Sequence, residues 1–135
     1  MSQNQLPVPA AVIPPDARGY WEGTTREVIV LQRCDDCDTV IWFPRAICPQ
    51  CWGSKLSNFE ASGRGTVYSW TRTNKGMADY RDAGPYILAY VELAEGPRLM
   101  TNLVGFDGDP KIGDAVQATF DKIDEESALL RFGPA

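Results

Sequence analysis

The run "YILAYVEL" (86–93) alternates apolar and other residues, so Ile87, Ala89, Val91 and Leu93 share one face of an extended strand. "GTVYSWTRTN" (65–74) alternates in the same way, and "AVQATFDKI" (115–123) aligns Val116, Ala118 and Phe120. "RLMTNLVG" (98–105) and "SALLRF" (127–132) complete five strand segments. Turn residues separate them: "AEGP" (94–97), and "FDGD" (106–109), where Asp107–Gly108 is a hairpin signal. The pattern predicts five strands with tight turns, one longer loop and no helix. Five strands in about 70 residues suit an OB-type barrel better than a seven-stranded sandwich.

The longer loop is "NKGMADYRDAGP" (74–85). It exceeds a simple hairpin connection, and long loops in compact domains often carry function. Its Lys75, Met77, Tyr80 and Arg81, with Trp70 and Arg72 on the strand before it, are candidates to contact an apolar ligand with an anionic group. A plain surface loop is the competing account.

Upstream the texture differs. Residues 1–15 hold four prolines and read as an extended arm. Asp16 is placed to cap a short helix carrying Tyr20 and Trp21. "REVIVLQR" (26–33) has a β-branched centre and reads as a strand leading into the first cysteine. The expected parts are an arm with a helical and strand segment (1–33), a metal ribbon (34–60) and a barrel domain (61–135).

All four cysteines lie in "RCDDCDTVIWFPRAICPQC" (33–51), spaced Cys34-x2-Cys37-x10-Cys48-x2-Cys51. Two C-x-x-C hooks on a small hairpin suit tetrahedral coordination of one zinc ion. Four thiolates also suit iron. Disulfides are disfavoured because no secretion signal is visible, and the cytoplasm is the expected location. Catalytic zinc keeps an open position, whereas four cysteines close the sphere, so the site reads as structural. The chain has no histidine, which removes the commonest general base. No carboxylate motif, nucleophile–base pair or phosphate-binding glycine loop replaces it. No apolar run approaches the length of a membrane span.

Charge narrows the partners. The net charge is −5, and from Gly65 onward seven basic residues face eleven acidic ones. No segment resembles a phosphate-binding stripe, which argues against nucleic acid. Tyr68, Trp70 and Tyr90 are the stacking platforms that a single-stranded nucleic-acid module would use, and that reading is the runner-up.

The order of parts adds a resemblance. An aromatic N-terminal segment, a four-cysteine ribbon, "SGRGTVYSWT", "PYILAYVELAEGPRLMTNLVG" and "IGDAV" follow one another. The chain resembles the OB-fold, zinc-ribbon, acyl-CoA-associated proteins known as domain of unknown function 35, over roughly residues 16–133. The resemblance implies a mostly β protein with an N-terminal helical segment, a rubredoxin-like zinc ribbon and a five-stranded OB barrel. It implies zinc on Cys34, Cys37, Cys48 and Cys51. It also implies an accessory subunit of CoA-thioester metabolism, partnering a thiolase-like enzyme such as a steroid side-chain aldolase, or a hydratase-like subunit, and supplying part of an acyl-CoA site.

Two positions depart from that pattern. Asp38 and Trp52 stand where glycine commonly follows each hook, and Gly53 is expected to absorb the second turn one residue late. Ile41, Trp42, Phe43 and Ile47 form an apolar cluster on a hairpin too small to bury them all. Trp42 and Phe43, with Tyr20 and Trp21, are therefore candidates for a partner interface. An enzyme acting alone is the weakest of the readings.

Overall fold

Pro14 and Pro15 lead the backbone into a short 3-10 turn, Pro15–Ala17, that runs directly into helix α1 (Arg18–Thr25). A computed structural model describes residues 6–135; the first five residues of the expected arm lie outside it. Tyr20 and Trp21 ride on α1 as the sequence predicts. Asp16 does not cap it: Ala17 holds the N-cap position and no side chain caps the helix. The proline pair starts the turn early, so Asp16 already lies inside it.

The helix stops because Gly23 closes its end. Its carbonyl accepts the N–H groups of Arg26 and Val28, both at 3.0 Å, and Glu27 turns through the left-handed region at φ 62°. "REVIVLQR" is therefore a strand only in its second half. Strand β1 (Val30–Cys34) pairs antiparallel with β2 (Val40–Ile41) on one side and β3 (Leu56–Glu60) on the other. This three-stranded sheet carries the cysteine hooks.

The remaining strands are β4 (Arg64–Thr73), β5 (Tyr86–Leu93), β6 (Arg98–Leu103), β7 (Ala115–Asp124) and β8 (Ser127–Pro134). They close a five-stranded barrel in the order β4-β5-β6-β8-β7, with β7 returning to β4. The alternation in β5 behaves as expected: Ile87, Ala89, Val91 and Leu93 all point inward and are buried. They meet Val67, Leu99, Leu103, Val116 and Phe132 in one core. A bulge between Val67 and Ser69 shifts the β4 alternation, so that Trp70, three residues past the inward-facing Val67, packs against the core.

Asp107–Gly108 makes a turn but not a hairpin. β6 pairs with β5 and, in parallel, with β8, so residues 104–114 must cross to bring β7 against β4. The crossover makes a second long connection beside 74–85. Helix α1 seals one end of the barrel, where the buried Thr24 hydroxyl accepts the Ala128 N–H at 2.9 Å.

The seam between β6 and β8 is the barrel's thinnest, with one parallel register pair, Leu103–Phe132. Backbone and side chains reinforce it. Val104 N–H donates to the Phe132 carbonyl at 2.9 Å, and the Thr101 hydroxyl donates to the Leu130 carbonyl at 3.1 Å. Arg131, only 2% exposed, donates to the Asn102 side-chain oxygen across the same seam. The same guanidinium reaches Asp121 on β7 at 3.2 Å, the Tyr80 hydroxyl of the long loop at 3.1 Å and the Pro7 carbonyl of the arm at 2.6 Å. A buried arginine is tolerated only when its donors are used this fully.

Replacing Arg131 by Met should cost about 2–4 kcal/mol, since Asn102 is left without its donor and four elements lose a common anchor. A urea titration checks this, with a lower midpoint at an unchanged slope as the expected outcome.

Candidate functional site

Each C-x-x-C hook folds into the same knuckle. In the first, Asp38 N–H donates to the Cys34 carbonyl at 2.9 Å and Cys34 N–H donates to the Thr39 carbonyl at 2.9 Å. In the second, Trp52 N–H donates to the Cys48 carbonyl at 3.0 Å and Cys48 N–H donates to the Gly53 carbonyl at 2.8 Å. Both knuckles require a left-handed residue after the hook. Asp38 takes φ 63° and Trp52 takes φ 68°. Gly53 does not take over the second turn, because its carbonyl is committed to closing the knuckle. An indole there costs about 1–2 kcal/mol of backbone strain.

The knuckles bring the four Sγ atoms within 4.8 Å of one another. Cys34 and Cys51 sulfurs are 3.5 Å apart, and those of Cys37 and Cys48 are 3.7 Å apart. A tetrahedron with Zn–S bonds of 2.3 Å has an edge of roughly 3.8 Å, so the spacing fits one ion. Cys34 and Cys48 are fully buried. Outer contacts orient the sulfurs: the Thr39 hydroxyl lies 3.1 Å from Cys37, and Gln50 N–H donates to Cys48 at 3.3 Å.

The thiols are unequal. Hydrogen bonds from the Thr39 side chain and backbone lower Cys37 to about 7. The Gly53 N–H pulls Cys51 down as well, but the other three sulfurs together with burial push it up to about 12. Four sulfurs this close cannot all carry charge without a cation among them. The donor set and its spacing thus match a closed, four-thiolate zinc site, whose role is to hold the ribbon.

Beside the metal centre the four expected interface residues form one cluster. The Tyr20 ring meets Trp21 and Trp42 edge-on, each at 5.1 Å, and Phe43 at 6.0 Å; Trp42 and Phe43 lie 5.3 Å apart. Tyr20 is buried, which pushes its phenol up and keeps it neutral. Trp21 and Trp42 are half-buried, and Phe43 is exposed. The cluster ties α1 to the inter-hook hairpin. Gln32 holds that hairpin by exchanging two 2.9 Å bonds with the Arg45 backbone. Ile41 is buried beside Cys34 and Cys48, while Ile47 is 47% exposed.

The expected ligand residues are not gathered in one place. Arg72 pairs with Asp109 and lines a cavity of about 200 Å³ with Tyr86, Ile87, Leu103 and Phe106. Lys75 and Arg81 stand exposed on the 74–85 loop. Tyr80 turns away to Arg131 and stacks near Tyr86 at 5.3 Å. Trp70 is half-buried against the core and borders a separate hollow with Tyr90 and Met100. Tyr68 and Tyr90 are about half exposed, but the Arg98 guanidinium covers the Tyr68 ring at 3.9 Å. The sequence reading missed Arg131. A lone basic residue inside the apolar "SALLRF" strand was the available signal.

Known proteins match this arrangement. Residues 21–57 match the rubredoxin-like zinc ribbon domain of ChsH2, and residues 59–121 match its C-terminal OB-fold domain. A DUF35 domain-containing scaffold protein of Methanothermobacter thermautotrophicus is 38% identical over 70% of this chain and 72% of its own length. The chain belongs to the DUF35 family. Among solved structures, a chain of the Ltp2-ChsH2(DUF35) aldolase superposes with a TM-score of 0.80 at 34% identity, covering 93% of this DUF35 chain and 98% of that one. A probable enoyl-CoA hydratase alpha subunit of Thermomonospora curvata is 36% identical over 94% of this chain, which spans only 40% of that protein. The benzoylsuccinyl-CoA thiolase subunit BbsA of Thauera aromatica is 31% identical over 64% of this chain and 59% of its own length.

Metal analysis of the purified DUF35 chain should find one zinc per chain. Cys48→Ala should abolish it and unfold the ribbon, read as zinc loss together with lost near-UV signal from Tyr20 and Trp42.

Proposed function

We propose that this chain is an accessory subunit that docks onto a thiolase-like enzyme of CoA-thioester metabolism and completes its acyl-CoA site. The observation that carries this reading is the match over nearly the whole length of the DUF35 chain of the Ltp2-ChsH2 aldolase. The thiolase-subunit name of BbsA points to the same class of partner. A hydratase-like subunit is the second candidate, from the hydratase relative. More than half of that relative lies beyond the matched region, so its named activity is not carried across.

The chain's own chemistry agrees. It has no histidine, and its four thiols converge on one metal centre. The Arg72 cavity, at about 200 Å³, is smaller than the 300–1,000 Å³ of a typical small-molecule site. It accommodates part of an acyl-CoA, and a partner surface must supply the remaining wall. Arg72 in the cavity, with Lys75 and Arg81 on the exposed loop that leads into its Pro85–Tyr86 wall, then meets the anionic groups, while Tyr80 and Trp70 lie outside this cavity. The exposed edge of the Tyr20, Trp21, Trp42 and Phe43 cluster is a second contact with the enzyme. No helix among the described residues is long and apolar enough to cross a membrane. Four metal-holding thiols suit a reducing compartment, and we assign the chain to the cytoplasm.

A tagged full chain purified from its native cells should carry a thiolase-like subunit with it, identified by mass spectrometry. Separate elution of the two under all conditions rejects the reading. In the reconstituted complex, Arg72→Ala should raise KM for the acyl-CoA about fivefold and leave kcat nearly unchanged, the pattern of a lost binding contact.

A further inference from the structure

The second knuckle carries an unusual residue. Trp52 adopts φ 68°, a conformation that favours glycine, and it is 81% exposed. Two independent costs therefore fall on one side chain, backbone strain and an indole left in water. Nothing among the described residues repays them: Trp52 stacks on none of the other rings described, and its backbone bond to Cys48 would be made equally well by glycine. The equivalent position in the first knuckle is held by Asp38, a short polar residue that tolerates this conformation. The contrast between two knuckles of the same geometry isolates the indole as the feature to be explained.

The surroundings define what it fits. The Cys48–Gly53 hydrogen bond closes the chain between Ile47 and the Trp52 turn, and both flanking apolar side chains are exposed, Ile47 at 47%. The Asp36 carboxylate lies over Gly53, where an added Cβ would meet its Oδ2 at 2.8 Å. Asp36 and Asp38 are both exposed, whereas Asp35 is held by the Ser57 hydroxyl at 2.8 Å. The knuckle is an apolar tip with a mainly acidic rim, in which Asp36 and Asp38 outnumber the exposed Lys55. The metal holds its backbone rigid, so little ordering remains to be done on contact.

We infer that Trp52 is the anchor of the ribbon, inserting into an apolar socket with a basic rim on the thiolase-like subunit. This rests on the accessory-subunit reading above. It assigns that subunit a third contact, on the metal knuckle, apart from the barrel's Arg72 cavity and the Tyr20 cluster. Tryptophan in a desolvated pocket is the commonest kind of interface hot spot. The surrounding carboxylates set orientation and encounter rate.

The test uses the zinc-loaded full chain and the thiolase-like subunit that co-purifies with it. Trp52→Gly should keep one zinc per chain and its circular dichroism, with an unchanged or higher Tm because the strain is relieved. Its Kd for the subunit should rise at least tenfold. Trp52→Asn, which keeps tolerance for the left-handed turn without the indole, should behave alike and guards against a fold defect in the glycine variant. Acrylamide should quench an exposed tryptophan in the free wild-type chain and lose that access in the complex. Wild-type binding that both variants retain within twofold overturns the anchor and leaves the accessory role standing. Failure of the wild-type chain itself to bind overturns both.

Discussion

The barrel exists as a closed object because of what happens at the β6–β8 seam. Four of its five strand contacts are antiparallel ladders, but this one is parallel and has a single register pair. The Arg131 guanidinium makes up the deficit. Buried, charged and unable to shed its proton, it must find acceptors, and the acceptors come from β6, β7, the long loop and the arm. One desolvated cation thus sets the position of the segment that enters the fold and of the loop beside the Arg72 cavity. Leu6 and Pro7 of the arm are held against its own barrel as a result.

The ribbon is stabilised by a different means. Its three strands are short; Leu31, Val40 and Phe59 pack toward the main core, and around the hooks themselves the buried cluster is only Cys34, Ile41 and Cys48. That is too little apolar area to fold a hairpin, so the metal supplies the free energy. Tyr20 then links the two halves. Its ring contacts run from α1 to the inter-hook hairpin, while Thr24 of the same helix bonds Ala128 of the barrel. Helix α1 is eight residues long and would be marginal alone. It persists because each end of it is engaged by a different module.

Much of this was readable in the sequence. Period-two alternation located three of the barrel strands, since β5 and β7 each bury one face only, and the turn residues between them marked off the other two. The hook spacing named the metal ligands because thiolates in C-x-x-C pairs have few other uses in a chain of this kind. What escaped was non-local. Asp107–Gly108 has hairpin chemistry, but strand order decides where a turn leads. Asp16 has capping chemistry, but two prolines shifted the helix start. Arg131 looked like an exception in a strand, and only the folded chain brings Pro7, Tyr80, Asn102 and Asp121 around it. The candidate ligand residues came apart for the same reason. Trp70 follows a bulge that no alternation reveals, and Tyr80 is spent on Arg131.

The cavity beside Arg72 has a consequence for how such a subunit behaves in excess. At about 200 Å³ it cannot enclose a whole acyl-CoA. On the accessory-subunit reading proposed above, this cavity in an unpartnered chain does not hold a whole thioester, so capture there is conditional on assembly, and the ligand meets a finished site only where the chemistry to use it is already present.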